Sequence, residues 1–507
     1  MPTIVSSASA AGYPGVYAIL VSPPRVIRGI SLGYIGYIGQ FDAGPVFKGY
    51  LPQSGDDLVQ TFEPKGVPRK KSGWYGLMAQ LSAPWFIVGV KGSGYSSASL
   101  SKTGTGGNLV ITASSPGVWA NAMTVALSAA SGGDATKRDI TVTLTDPTTK
   151  TTQEIYRNVS MGQDMTAAVA SSRLLASIAF TGTMTVWPAN FSSLMSTGTP
   201  GSDGAAPVAS DYQAALDQLA LEGNVRIVVT DDCGDTIRAA VNSNVVTHCT
   251  NLYNRVCHIT GNKGLDWATT KTDKASYTSE LATYYGSWVQ VYDDSGTTLV
   301  DVPLSIFGAA IRANIPVHWS IANHDPQATK YLQNIKGSSA SYSVASDAIR
   351  GEATTNQIVL PIQGVGPQPG TRGPWQLLHG RTCNLTSGYQ YEVTTWYRLY
   401  LVICLAPQLD PYVNGPNDLD SALEIQGVVN AWLEGEVALK HLSSSLDSDG
   451  VTRLPAFSTD INGVNTGATM ALGDFYISID GHTPGVRERM FLNVNVGETV
   501  SVRRAAA

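Results

Sequence analysis

Charge is the scarcest ingredient of this chain. Asp, Glu, Lys and Arg make up 14% of its 507 residues, against about 25% in ordinary soluble domains. Sparse charge fits two arrangements: large areas buried against other subunits, or a Ser/Thr/Gly/Ala surface that is polar without charge. The net charge of −6 is too mild to imply a nucleic acid or a membrane surface as partner. No basic run exceeds Arg69-Lys70-Lys71. Long apolar runs are also missing. LYLVICLA at 399–406 falls short of the ~20 residues that a membrane span needs. No side-chain charge precedes Arg25, and Pro14 and Gly15 interrupt the early apolar stretch. The pattern of a secretory signal is therefore not met, and the chain is expected to begin in a cytoplasm. The Asn-x-Ser/Thr matches at Asn158, Asn190 and Asn384 carry no meaning there.

Catalytic and cofactor motifs are scarce too. H-E-x-x-H, G-x-S-x-G and the Walker loop are all missing. In ISLGYIGYIGQFDAGPV (30–46) the glycines Gly33, Gly36 and Gly39 follow a G-x-x-G-x-x-G spacing. A dinucleotide loop needs G-x-G-x-x-G with a helix to follow. Asp-Ala-Gly-Pro follows instead and forms a turn, so this stretch reads as a strand ending in a turn. His318 and His324 have no acidic partner at metal spacing. Asp231-Asp232 follow a strand end, where α/β proteins place function, and a polar loop explains them as well. No cofactor is indicated.

Cysteine is limited to Cys233, Cys249, Cys257, Cys383 and Cys404. With His248 and His258, the first three make the best metal candidate. If 235–254 is helical and runs on to Cys257, Cys249 and Cys257 stand about 12 Å apart along the axis. They can then neither share a metal nor form a bond with each other. Two readings remain for the five. They are small buried hydrophobes, or they cross-link subunits once a particle reaches an oxidising medium.

What is present is order along the chain. Gly/Ser/Thr-rich stretches at 92–107 and 196–210 read as flexible connections. They bracket NLVITAS, AMTVALS, RDITVTLTD and TQEIYRNVS, short runs with β-branched residues. This predicts a small β-rich domain inserted into a larger one. After 210, helical and strand patterns alternate: a helix at 210–223, a strand at 224–232, a helix over 235–254, the strand VCHIT and a helix near 273–285. The strand WVQVYDD at 288–294 follows. NQIVLPIQ and WYRLYLVICLA read as strands, 417–442 as one long helix, and FYISIDG and RMFLNVNVGETVSVRRAAA as closing strands. The fold class is therefore α+β or α/β and multidomain: a mixed α/β core, an inserted β-rich domain and extended terminal arms.

The order of the pieces resembles the sheath proteins of contractile bacteriophage tails. Pro14, Gly15, Val16 and Tyr17 look like the family's PGVY opening, and Gly39, Gly44 and Pro45 like its glycine and Gly-Pro turn. ITASSPGVWANAMTVAL is similar to A-x-x-P-G-x-W-G-N-x-L-x-V: Pro116, Gly117, Trp119 and Asn121 match, and Ala120 replaces glycine. DYQAALDQLALEGNVRIVV resembles the family's helix–strand pair. VPLSIFGAAIRANIPVHWSIAN resembles a P-P-S-G-x-x-A-G-type pattern, with Leu304 where Pro is common. Gly380, Arg381 and Thr382 match W-G-A-R-T, with His379 departing.

The resemblance spans nearly the whole chain and implies a structural subunit without enzymatic activity. Such subunits form homo-oligomeric rings in a helical lattice around a tail tube protein, with baseplate and tail terminator proteins as further partners. They contract to drive the tube through the host envelope. The setting implied is a virion tail assembled in a bacterial cytoplasm, with no nucleic acid bound and no membrane insertion. The divisions expected are an arm at 1–24, core at 25–99, an outward inserted domain at 100–205, core at 206–375, a tube-proximal domain at 376–485 and a terminal strand or arm at 486–507. An uncharged arm suits strand addition. About five main-chain bonds at ~0.5–1.5 kcal/mol each would contribute a few kcal/mol. Asp418, Asp420, Glu424, Glu434 and Glu436 give the long helix an acidic bias that a solvated face explains equally well. A tailocin or secretion-system sheath and an α/β enzyme stand as alternatives.

Overall fold

Tyr34–Gly39 forms a strand, β1, followed directly by a turn. Its successive residues face opposite layers, as pleating requires. Tyr37 donates its hydroxyl to the Gly73 carbonyl at 3.0 Å on one side. Gly36 faces the other side, where a Cβ would stand 2.8 Å from Val225 and 2.9 Å from Leu219. This glycine lets a helix sit close on the strand.

The computed structural model describes residues 3–5, 17–19, 34–62, 72–80, 83–145, 151–293, 296–365, 372–386, 388–415, 417–446, 451–466 and 474–483. The arm expected at 1–24 lies outside these apart from Thr3–Val5 and Tyr17–Ile19, which pair in parallel. Pro14, Gly15 and Val16, the basic run at 69–71 and the arm at 486–507 lie outside as well. The chain divides into two compact units, Met1–Pro416 and Asn417–Ala507.

In the first unit β1 is followed by β2 (Gly49–Tyr50), α1 (Gly55–Phe62), α2 (Ser72–Ala79), β3 (Trp85–Gly89) and β4 (Tyr95–Ser96). The inserted module comes next. Its β5 (Ser99–Ala113) is long, and β6 (Thr124–Ala129), β7 (Lys137–Thr145), β8 (Thr151–Ser160), β9 (Leu175–Val186) and β10 (Phe191–Leu194) follow. One antiparallel sheet has the order β8-β7-β6-β10, and β5 pairs with β9 as a separate ribbon. Leu109, Ile111, Trp119, Val125, Ile140 and Val142 fill a core of the module's own.

The chain returns through β11 (Ser202–Asp203) to α3 (Ala209–Ala220), β12 (Val225–Thr230), α4 (Asp235–Leu252), β13 (Val256–Thr260), α5 (Trp267–Ala275), β14 (Ala282–Tyr285), β15 (Trp288–Tyr292), α6 (Leu304–Asn314), β16 (Ile358–Val359) and α7 (Glu392–Leu409). The main sheet has the order β16-β14-β13-β12-β1-β3-β2, parallel except for β2. β3, β13 and β14 are buried at every position. Helices on both faces explain why these strands read as unbroken apolar runs.

Three expectations change. Residues 99–107, read as a flexible connection, form the first half of β5. Ser99 bridges Thr199, pairing with β9 holds the strand from Thr105 on, and Gly107 lies so close to Thr181 that a Cβ would meet its carbonyl at 2.1 Å. The helix near 273–285 is instead α5, started by Asp266 accepting from Thr269 N at 2.8 Å, followed by β14, where Thr-Tyr-Tyr favours a strand. WYRLYLVICLA is not a strand but part of α7. Its aromatic and β-branched residues gave the strand signal. The buried positions Trp396, Leu399, Tyr400 and Cys404 recur at helical spacing, with Val402 exposed between them.

In the second unit, the long helix is α8 (Leu419–Ala438), capped by Asp418 accepting from Ser421 N at 2.8 Å. Phe457–Asp460 pairs antiparallel with Ser478–Gly481, the strand part of FYISIDG. Asp418, Asp420, Glu424 and Glu434 are exposed. Glu436 is buried and hydrogen-bonded to His441 Nδ1 at 2.7 Å, so it leaves the acidic face.

Candidate functional site

Six of the matched residues, Gly44, Pro45, Pro116, Gly117, Trp119 and Asn121, gather where the inserted module joins the core. β4 and β11 pair Ser96 with Ser202 and Tyr95 with Asp203, so the two ends of the insertion lie side by side. Lys91, at the end of β3, is 5% exposed and reaches Asp203 Oδ1 at 2.7 Å. That oxygen also accepts from Val118 N at 3.3 Å. Asn121 closes a two-bond amide pair with Gly201, accepting from its N–H at 2.7 Å and donating to its carbonyl at 3.0 Å. Trp119 enters the module core beside fully buried Ala120. Gly117 has φ +134, and a Cβ there would lie 2.7 Å from the Asp42 carbonyl oxygen. Only glycine suits that backbone.

The other matched turn docks on the same place. Gly44, at φ +104 against the Phe62 ring, donates its N–H to Ser115 Oγ at 2.9 Å. Pro45 lies between it and the bridge from Val46 to Gly89. Asn121→Ala should therefore loosen the clasp without unfolding the core. Losing two hydrogen bonds costs about 1–3 kcal/mol locally. Limited proteolysis should then cut faster within 196–207. An unchanged digestion pattern would show that Asn121 does not hold the joint.

Gly380, Arg381 and Thr382 serve a different joint. Glu392 N donates to the Gly380 carbonyl at 3.1 Å. Thr382 N bonds the Gln390 carbonyl at 2.9 Å, and its hydroxyl donates to the Tyr389 carbonyl at 2.6 Å. Arg381 Nη1 donates to the Thr354 carbonyl at 3.2 Å, and its guanidinium stacks 5.5 Å from the Tyr391 ring. This loop fixes the start of α7.

The carboxyl ends of β1 and β12 meet where the strand order reverses, the usual ligand position of an open α/β sheet. Asp231 occupies it, fully buried. Its carboxylate accepts from Gln40 N at 2.8 Å, Ser72 Oγ at 2.6 Å and the Tyr212 hydroxyl at 2.9 Å. Burial nonetheless raises its pKa to about 6 against the pull of those three bonds. Asp232 pairs with Arg238 at 2.7 Å, and Arg238 lies 4.7 Å from the Trp288 ring. These groups tie β1, α2, α3, β12 and α4 together.

The cysteine reading needs correction. α4 stops at Leu252, and Tyr253 takes the left-handed conformation at φ 47. The chain reverses into β13 and brings Cys257 back onto Cys249. The Cys249 thiol's hydrogen bond and burial hold the Cys257 thiol well above its ordinary pKa. The 12 Å separation assumed an unbroken helix. Cys233, Cys249, Cys257, Cys383 and Cys404 are all buried, and none forms a disulfide. Burial pushes Cys233 and Cys383 up to about 12. His248 approaches Arg255 at 3.3 Å and His258 binds the Tyr285 hydroxyl at 2.7 Å. Among the described residues no three His, Cys, Asp or Glu side chains converge as metal ligands.

No protein-family model and no curated protein matches the chain. Solved structures do. The sheath tail protein of Listeria innocua matches with TM-score 0.59 at 12% identity, over 89% of this chain and 95% of that one. The sheath tail protein of Desulfitobacterium hafniense gives 0.56 at 13%, over 88% and 93%. The helical sheath of the anti-feeding prophage in its contracted state gives 0.55 at 12%, over 96% and 100%. The chain has the fold of contractile-tail sheath proteins.

Proposed function

We propose that the protein is the sheath subunit of a contractile bacteriophage tail, polymerising around a tail tube and contracting to drive it through the host envelope. The observation that carries this reading is the fold likeness to sheath proteins along 88–96% of the chain, inserted module included. Sparse charge supports it, since a lattice subunit buries much of its surface. Non-closing head-to-tail contacts generate the helical assembly. Contraction is then a rigid-body rearrangement of packed subunits. In this reading 1–24 and 486–507 act as exchanged arms, the inserted module points outward, α8 lies toward the tube, and the baseplate and terminator cap the lattice.

A related injection device is the second reading, favoured by the likeness to the anti-feeding prophage sheath. Neighbouring genes separate the two: capsid and packaging genes belong to a phage. An enzyme is the weakest reading, because the carboxyl edge of the sheet is filled by the Asp231 hydrogen bonds.

Negative-stain electron microscopy of the purified chain tests self-assembly. Hollow tubes of uniform width are expected without any other protein. A monodisperse compact particle at every concentration would remove the proposal.

A further inference from the structure

Beside the Arg312–Glu392 pair, the core holds polar atoms with no hydrogen-bond partner among the described residues. Arg312, on α6, reaches Glu392 Oε2 at 3.1 Å, and its guanidinium carbon lies 5.5 Å from the Trp396 ring. Thr395 and Trp396 sit one turn beyond Glu392 on α7. Arg312, Glu392, Thr395 and Trp396 are at most 2% exposed. Yet Arg312 Nε, Glu392 Oε1, Thr395 Oγ1 and Trp396 Nε1 are all unpartnered. His258 Nε2, within electrostatic reach of Arg312, is another.

Buried polar atoms are paired in native proteins, and a cluster of four around one ion pair calls for a shared ligand. The chemistry of the set selects it. Arg312 Nε–H and Trp396 Nε1–H only donate, Glu392 Oε1 only accepts, and the Thr395 hydroxyl does either. An anion would face the Glu392 carboxylate, and a cation would face two N–H donors. A water molecule accepts two hydrogen bonds and donates two, which is the complement of this set.

We propose that the core between α6 and α7 is a water-binding site, with ordered water bridging Arg312 Nε, Trp396 Nε1, Thr395 Oγ1 and Glu392 Oε1. The water completes the ion pair and links the two helices.

Two measurements test it on the full chain. A crystal or electron-microscopy map at a resolution that shows ordered solvent should contain a peak within hydrogen-bond distance of at least three of the four atoms. A dry site, or direct pairing of these atoms, would overturn the proposal. Thr395→Val gives an independent test by its sign. Valine keeps the shape and removes the hydroxyl. If the hydroxyl holds water, the variant loses a bond and Tm falls by about 1–2 °C. If the site is dry, deleting an unpaired polar group leaves Tm unchanged or raises it, which counts against the water.

Discussion

Glu392→Leu is expected to destabilise the first unit by about 3–5 kcal/mol, a large loss for one side chain. Arg312 is 0% exposed and Glu392 2% by side chain. Removing the carboxylate strands a buried guanidinium that cannot lose its proton and has no other counter-charge. The pair itself is not the source of the whole effect. Two charges buried in a core repay their desolvation only when geometry and extra bonds are good. Arg312 has those bonds, donating to the Trp319 and Pro316 carbonyls at 2.8 Å each. A double variant, Arg312→Met with Glu392→Leu, leaves no charge unpaired and should recover about half of the loss. It does not recover all, because those carbonyls lose their donor. Urea denaturation midpoints of the wild type and the two variants separate the terms. A single-variant loss below about 1 kcal/mol would mean that bulk solvent screens Arg312, contrary to its burial.

The sequence made the architecture legible where a signal is local. The apolar stripe Tyr212, Ala215, Leu216 and Leu219 marks α3, and Val225–Thr230 reads as a buried strand because it is one. The insertion was visible from two polar stretches around β-branched runs. Misreadings arose where tertiary pairing overrides composition. Ser, Thr and Gly in β5 say loop, while pairing with β9 over Thr105–Ala113 says strand. Trp396–Ala406 says strand, while its burial pattern says helix. The cysteine pair was hidden by one residue, Tyr253, whose left-handed turn no propensity announces. Asp231 stood out in the sequence as a possible site. Its partners Gln40, Ser72 and Tyr212 lie up to 191 residues away, so its structural employment was not readable. The Arg312–Glu392 pair, 80 residues apart, gave no local signal at all.

Asp231→Asn should steepen the acid loss of stability by about 1.4 kcal/mol per pH unit between about pH 4 and 6. Two buried groups oppose each other in that window. Asp231 rises from an ordinary 3.8 to about 6 because burial outweighs three hydrogen bonds to the carboxylate. Its folded form holds a proton that the unfolded chain has released. Its contribution is therefore fully present below the unfolded value and is lost as pH rises through about 6. His258 falls from 6.5 to about 3, chiefly by burial and then by the charge of Arg312. Its folded form refuses a proton that the unfolded chain accepts, so its contribution is present above about 6.5 and is lost as pH falls. Between about 4 and 6 the two proton differences cancel one for one. His248, lowered to about 4 by burial and Arg255, adds acid loss to both proteins and drops out of their difference. Asparagine removes only the Asp231 proton. The stability difference between variant and wild type should then shift by about 3 kcal/mol from pH 4 to pH 7. Denaturant midpoints across that range measure it directly. Parallel curves would mean that Gln40, Ser72 and Tyr212 keep Asp231 ionised throughout, and that hydrogen bonding rather than desolvation sets the state of this carboxylate.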